Sequence, residues 1–431
     1  MREVDIVYLY EHAGRELDVA CAVTAILERD HHLSVEIVQW PVGFGRIVHK
    51  IRPAKIVILP YCYVETDFSP LLAYWRGIHY VNLTWEQLFY PGNERVKTPR
   101  GEYVIKDVLH HVWSEHYVNL LRKNGVPDEN IFLNGQPAFT LYDEPYRSYF
   151  MSREELAQRY SLDPSKKWLF FPENYNWAFY SNDRLDQFIR DGQSPDQVDT
   201  MREYCDLSLN QVLHWFKALV QSIEEVEIII RPRPSTTVDQ FISAIQKYLG
   251  EIPAGVKIIQ DGTVREWILS SDVILSSHST SLIEGAVAGK QVFMLEPYPI
   301  PSVLQAVWHQ FLPHIRNFAD LFNVCTYDER HKFADERLAE WARNNLMSKG
   351  DSIQNLAIFL SELVHTAVRP PQSFVLQHAT RYPPVWLWVI YRNLRRLYFY
   401  WRTQAIEPVF LKDMVPQSEI ANRKTKWLEI L

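Results

Sequence analysis

The sequence predicts an α/β protein built of two Rossmann-like, doubly wound domains facing a cleft, with a helical extension at the carboxyl end. Three observations predict it. Short runs rich in Ile and Val recur along the chain, the composition of strands covered on both faces of a parallel sheet. Helical patterns separate these runs, and that alternation builds βαβ units. Polar residues cluster just after the runs, where an open parallel sheet holds its ligands. A chain of 431 residues is long enough for two such domains, each with its own core.

The first domain, residues 1–145, carries strand runs at Asp5–Tyr10, Ser34–Gln39, Ile56–Pro60, Tyr80–Leu83, His111–Ser114 and Ile131–Asn134. A helix from Arg15 to Arg29 is expected from Leu17, Cys21, Thr24, Ala25 and Glu28 at helical spacing, which sets Arg15, Glu16 and Asp18 at the mouth of the first strand. The polar segment Asp143–Pro164 reads as an interdomain link. The second domain, residues 165–365, opens on the strand Trp168–Pro172 and continues with Glu227–Ile230, Val256–Ile259, Val273–Leu275 and Gln291–Leu295. The charged stretch Asn182–Met201, with Asp183, Asp186, Asp191, Asp196 and Asp199, reads as a loop or short helix over the cleft.

The extension, residues 366–431, contains a basic aromatic helix pattern at 385–402. It puts Ile390, Leu394, Leu397 and Trp401 on one face, with Arg392, Arg395, Arg396 and Phe399 near the other. Its arginines interrupt it before the roughly 18 to 20 apolar residues that a spanning helix requires. It suits an anionic inner-membrane surface, or a helix packed back across both domains.

Chemistry concentrates at the strand ends. Arg231 and Arg233 follow a strand directly, with Pro232 and Pro234 stiffening the turn, and two guanidiniums there suit a phosphate or carboxylate. Ser235, Asp261, Thr263 and the hydroxyl-rich turn Ser277–Ser281, with Ser279, Thr280 and Ser281 leading into a helix that ends near Gly289, complete an expected donor crevice. Glu284, one turn inside that helix, is placed to accept from a ribose hydroxyl. Glu11 and His12 end the first strand, and Glu86 and Glu173 each follow an aromatic-rich strand end.

These motifs resemble a known family. The succession Arg-Pro-x-Pro-Ser, Asp-Gly-Thr-x-x-Glu-Trp-Ile, Ser-Asp-Val-Ile, Ser-Thr-Ser-x-x-Glu-Gly and Gly-Lys-x-Val resembles the carboxyl-terminal half of a GT-B glycosyltransferase. More closely, it is similar to bacterial surface carbohydrate biosynthesis proteins related in pattern to the retaining Kdo transferases of capsule and O-antigen assembly. In the first half, Tyr10–Asp18, Asn82–Gln87, His110–Ser114, Gly125–Pro127 and Ile131–Pro137 look like the same family, so the matches cover residues 4–300. Relatives usually carry His-Pro where this chain has Arg233-Pro234, so a different group or donor is implied there.

The resemblance implies transfer of a sugar from a nucleotide-sugar donor, CMP-Kdo or a related acidic sugar, to a surface polysaccharide or lipid-linked glycan. It assigns catalysis to Glu11, His12, Asp18 and Glu86, with His12 as general base and Glu11 or Asp18 as nucleophile if configuration is retained. Donor binding falls to Arg231, Arg233, Ser235, Thr263, Ser279, Thr280, Ser281 and Glu284. Arg15, Glu173 and Asn174 are left for the acceptor or the domain seam. Two alternatives stay open: a CDP-glycerol-type polyol phosphotransferase, and a catalytically degenerate scaffold that binds nucleotide or glycan.

Composition narrows the classes. A net charge of −7 argues against a general nucleic-acid binder. Aromatic residues reach 13%, with 14 Trp and 23 Tyr, suited to sugar and base stacking as well as to cores. Cys21, Cys62, Cys205 and Cys325 lie far apart without metal spacing and suit a reducing cytoplasm. Arg2, Glu3 and Asp5 interrupt what would be a signal sequence. No Asp-x-Asp ends a strand and His110-His111 point to opposite faces, so no metal or cofactor beyond the nucleotide-sugar is expected. The expected location is cytoplasmic, peripheral on the inner membrane where the tail engages it.

Overall fold

The computed structural model describes residues 2–431 except 41–49, 92, 191, 235, 327–335, 348, 374–386, 388–389, 392–393 and 395–413. The chain divides into two compact units. Unit one comprises Met1–Gln87, Asn93–Tyr149 and Asn344–Leu431, and unit two Leu88–Gly92 and Phe150–Arg343.

Unit one is built on β1 (Arg2–Tyr10), β2 (Val35–Gln39), β3 (Ile51–Leu59), β4 (His79–Asn82), β5 (Leu109–Val112) and β6 (Ile131–Leu133). They pair in parallel in the order β2-β1-β3-β4-β5-β6. Ile6, Val7, Tyr8 and Leu9 are fully buried, as both faces of β1 are covered. The helix Asp18–Asp30 is buried at every position from Asp18 to Leu27. A helix that is apolar all round needs neighbours on every side, and here it packs against β2 and the helices Ser352–Val364 and Gln417–Ile430.

The last of these is tied down by side chains. Arg423 Nη1 donates to Asp18 at 3.0 Å, Lys424 Nζ to Glu28 at 2.6 Å and Gln417 Nε2 to the Ile37 carbonyl at 3.0 Å. Trp427 stacks on Tyr149 with centroids 4.0 Å apart. Unit two therefore ends at Arg343 rather than at the expected 365, because Ser352–Val364 buries its apolar face on the first sheet's helices and β3. Of the 385–402 stretch, only Leu387, Ile390, Tyr391 and Leu394 are described.

Unit two contains β7 (Lys167–Pro172), β8 (Val226–Arg231), β9 (Val256–Ile258), β10 (Val273–Ser276), β11 (Gln291–Leu295) and β12 (His314–Ile315). All pairs are parallel, in the order β12-β11-β10-β7-β8-β9. Read from β9, that is the 3-2-1-4-5-6 order of a dinucleotide-type sheet. Gly285 lets the short helix Ser281–Val287 approach this sheet: a Cβ there would lie 2.8 Å from Val292 Cγ1 and 3.0 Å from Ile274 Cγ1.

Of the two alternatives for the stretch 182–201, a loop or a short helix, the chain takes the helix, Asn182–Arg190, followed by the start of a longer helix running Pro195–Ser222. Asp183 and Asp196 sit in the first turns, where acidic side chains favour the helix dipole, and Asp191 lies outside the described residues. The expected link 143–164 contains the division between the units, at Tyr149 and Phe150, and includes the helix Arg153–Tyr160, capped by Ser152 with Glu155 reaching back.

Candidate functional site

In an open parallel sheet the crevice forms where strand order reverses. In unit one that point lies between β1 and β3. Glu11 and His12 follow β1, and Tyr61 and Tyr63 follow β3. A five-residue π-helical turn, Ala13–Leu17, begins here in place of a regular first turn, and such turns are frequent at functional sites. It brings Arg15 to the centre. Arg15 donates to Glu16 from Nη2 at 2.6 Å and Nε at 3.0 Å, to Glu86 at 3.0 Å and to Glu11 at 3.5 Å. Glu16 is wholly buried and also accepts from the Glu11 backbone N–H at 2.7 Å. His12 Nε2 stands 3.6 Å from Glu11 Oε2.

The environment pushes two of these carboxyls apart. Burial raises Glu11 above the ordinary carboxylate range, only partly offset by His12 and Arg15. Burial would raise Glu86 too, but Arg15 and an ion pair with Lys97 outweigh it and hold Glu86 down at about 2. Glu86, a catalytic candidate from its strand-end position, is therefore ionised at neutral pH and paired with Arg15 and Lys97. Asp18 is corrected. It has no exposed surface and pairs with Arg423, so it joins the helix packing and not the Glu11 cluster. Lys97, which the sequence reading passed over, has no motif to mark it.

In unit two the reversal falls between β7 and β10. Glu173 and Asn174 follow β7, and Ser277 and His278 follow β10. Glu173 is buried, accepts from the backbone N–H groups of Tyr175 and, at 3.5 Å, Arg233, and has its carboxyl raised by burial. Arg233 Nη1 donates to Asn174 at 2.7 Å and to Asn176 at 3.2 Å. His278 Nδ1 is shielded from solvent with no hydrogen-bond partner. Burial, then Arg233 and His309, lower its pKa to about 3, so the ring is neutral at pH 7. His278 lies within the hydroxyl-rich motif, where no spacing marks it out from its neighbours.

Arg231 does something else. Its guanidinium donates to three consecutive carbonyls, those of Gln260, Asp261 at 2.9 Å and Gly262 at 2.9 Å. It clamps the loop after β9 instead of standing free for an anion. The Thr263 hydroxyl caps the helix Val264–Ser270, with Glu266 bonding back to the Thr263 N–H. Ser279 accepts from the Ser281 N–H at 3.3 Å, and Thr280 precedes the first helical residue without a side-chain cap. Glu284 lies in that helix's first turn, and Ser235 lies outside the described residues. Among the described residues, no three His, Cys, Asp or Glu side chains are grouped to hold a metal ion.

No protein-family model matches the sequence, and no curated protein matches it. Solved structures do match in fold. A putative UDP-N-acetylglucosamine 2-epimerase from Listeria monocytogenes superposes with a TM-score of 0.51 at 11% identity, covering 86% of this chain and 100% of that one. The UDP-GlcNAc 2-epimerase from Neisseria meningitidis bound to UDP-GlcNAc gives 0.51 at 12% identity over 84% and 100%. The wall teichoic acid polymerase TagF gives 0.51 at 11% identity over 84% and 88%. With the two six-stranded parallel sheets, these likenesses show an α/β, two-domain GT-B fold.

Proposed function

We propose that the chain is a glycosyltransferase that takes a sugar from a nucleotide-sugar donor and passes it to a surface polysaccharide or lipid-linked glycan. The observation that carries the reading is the β7/β10 reversal of unit two. A buried carboxylate, an arginine and a shielded neutral histidine converge there at the strand ends of a 3-2-1-4-5-6 sheet, where nucleotides bind in such folds. Among the described residues Arg233 has no partner for Nε and Nη2, and a fork of that kind suits a phosphate or the carboxylate of an acidic sugar such as Kdo. It stands where relatives in the resembled family carry histidine.

Transfer forms a bond from an acceptor hydroxyl to the anomeric carbon, breaks the carbon–oxygen bond to phosphate and releases the nucleotide. The acceptor proton must go to a base. Glu11, beside His12, is a carboxyl of unit one whose proton affinity burial raises, while Glu86 is held ionised at neutral pH. Our reading gives Glu11, paired with His12, the proton, and gives Arg233 and His278 the phosphate.

Thermal-shift titration against CMP, CDP, UDP, GDP and ADP tests this. A bound nucleotide at a hundredfold excess over Kd stabilises by about 2.7 kcal/mol, a shift of several degrees. A selective response to CMP supports the acidic-sugar donor. A response to CDP alone moves the assignment to a CDP-glycerol-type phosphotransferase, in keeping with the TagF-like fold. A response to UDP alone moves it toward the chemistry of the UDP-sugar epimerases that share the fold. No response to any of the five overturns the enzyme reading in favour of a scaffold.

A further inference from the structure

Leu387, Ile390, Tyr391 and Leu394 are helical and exposed, at 41%, 48%, 62% and 59%. Their spacing of three, four and seven puts all four on one side of a helix. Elsewhere the chain hides such stripes: the helices Asp18–Asp30 and Ser352–Val364 bury theirs. An uncovered apolar stripe of this kind marks an interaction surface.

The surrounding sequence indicates what covers it. From Val385 to Arg402 there are four arginines, at 392, 395, 396 and 402, and no acidic residue, in a chain whose net charge is −7. Aromatic residues fill much of the rest, including Trp386, Trp388, Tyr398 and Trp401. Apolar and aromatic side chains with arginines and no acids are the composition of a surface that lies in the headgroup region of an anionic bilayer. A second copy of the chain is a poor occupant, since pairing two such faces would bring like charges together.

Both ends of the segment are fixed to unit one. Before it, the Gln372 and Ser373 N–H groups donate to Asp107 at 2.6 and 2.9 Å. After it, Gln417 and Arg423 bind Ile37 and Asp18. We propose that the apolar stripe Leu387–Ile390–Tyr391–Leu394 docks this protein onto an anionic lipid bilayer as a peripheral protein. Unit one, held at both ends of the excursion, is then kept at the lipid surface.

The proposal is independent of the nucleotide reading, and its test contains no nucleotide. Full-length protein is floated with vesicles of phosphatidylcholine alone and with vesicles containing roughly a third phosphatidylglycerol. The protein should float with the anionic vesicles, and less so as salt is raised. Leu387→Glu/Ile390→Glu/Leu394→Glu should abolish flotation. Arg392→Gln/Arg395→Gln/Arg396→Gln should weaken partitioning roughly a hundredfold, from about fivefold per charge. Unchanged melting of both variants shows that they fold, and the salt series on the unmodified chain gives a reading that needs no variant. Three results would each overturn the proposal: no flotation of the unmodified chain, flotation unaffected by either variant, or a dimer in sedimentation that the glutamate variant dissociates.

Discussion

Replacing Arg423 by Ala should loosen the carboxyl-terminal helix while both sheets stay folded. Asp18 is completely buried and takes Arg423 Nη1 at 3.0 Å, so the substitution removes a cation that offsets a buried carboxylate. Removing one partner of a buried ion pair costs about 3–5 kcal/mol. Arg423 is 24% exposed on its side chain and shared with Glu419, so water already reaches its end of the pair and the low end, about 3 kcal/mol, applies. Lys424–Glu28 and the Trp427–Tyr149 stack remain, and the helix opens more often instead of leaving. Hydrogen exchange over Gln417–Ile430, read by mass spectrometry, should accelerate roughly a hundredfold, since every 1.4 kcal/mol is about tenfold. Asp18→Asn should give a similar loosening, and the double variant less than the sum of the two. Unchanged exchange in Asp18→Asn together with lost glycosyl transfer would refute this reasoning and return Asp18 to the catalytic set.

Gly285→Ala should destabilise unit two by about 1–3 kcal/mol in urea unfolding, because the added methyl meets Val292 and Ile274 side chains inside a packed layer. Arg231→Ala and Arg233→Ala should separate. The first releases the Gln260–Gly262 loop and lowers stability by roughly 1.5–3 kcal/mol, while the second weakens nucleotide binding by a similar amount with little change in melting. Glu11→Gln should cut turnover about 10²- to 10⁴-fold with melting unchanged, whereas Glu86→Gln should act mainly on stability through Arg15 and Lys97. Acid should destabilise the protein through His110 and His111, which burial lowers from 6.5 to about 4 and about 3. Folded-state values below the unfolded ones mean no effect above pH 6.5 and falling stability below it, by about 1.4 kcal/mol per pH unit per histidine at full slope. His110→Gln should remove about one proton from that slope in urea titrations.

Eleven of the twelve strands were legible, because strands covered on both faces leave continuous apolar runs that a single sequence displays. The exception, β12, has two residues, His314 and Ile315, and offers no run to detect. The helix Pro195–Ser222 was obscured for a different reason. Its first turns are acidic, though Val198, Met201, Tyr204, Cys205, Ser208, Leu209 and Val212 keep the helical period on the buried side. The acidic first turns mask a periodicity that is the stronger signal.

The strand-end placement of the candidate residues was legible, and their partners were not. Strand ends named Glu11, His12, Glu86, Glu173, Arg231 and Arg233, and every one of them ends a strand or lies in the segment that follows one. Role depends on partners that are remote in sequence: Asp18 meets Arg423 at a separation of 405, and Arg231 meets the carbonyls of the loop after β9 at separations of 29 to 31. Arg231 and Arg233 carry the same side chain two residues apart, so pattern alone predicts equal duties. What divides them is the supply of acceptors. Three backbone carbonyls converge on Arg231 and engage both of its Nη atoms, whereas among the described residues Arg233 meets two amide oxygens through one Nη atom and leaves the other open. An arginine after a strand is thus a ligand-binding group only to the extent that the neighbouring backbone leaves it unsatisfied.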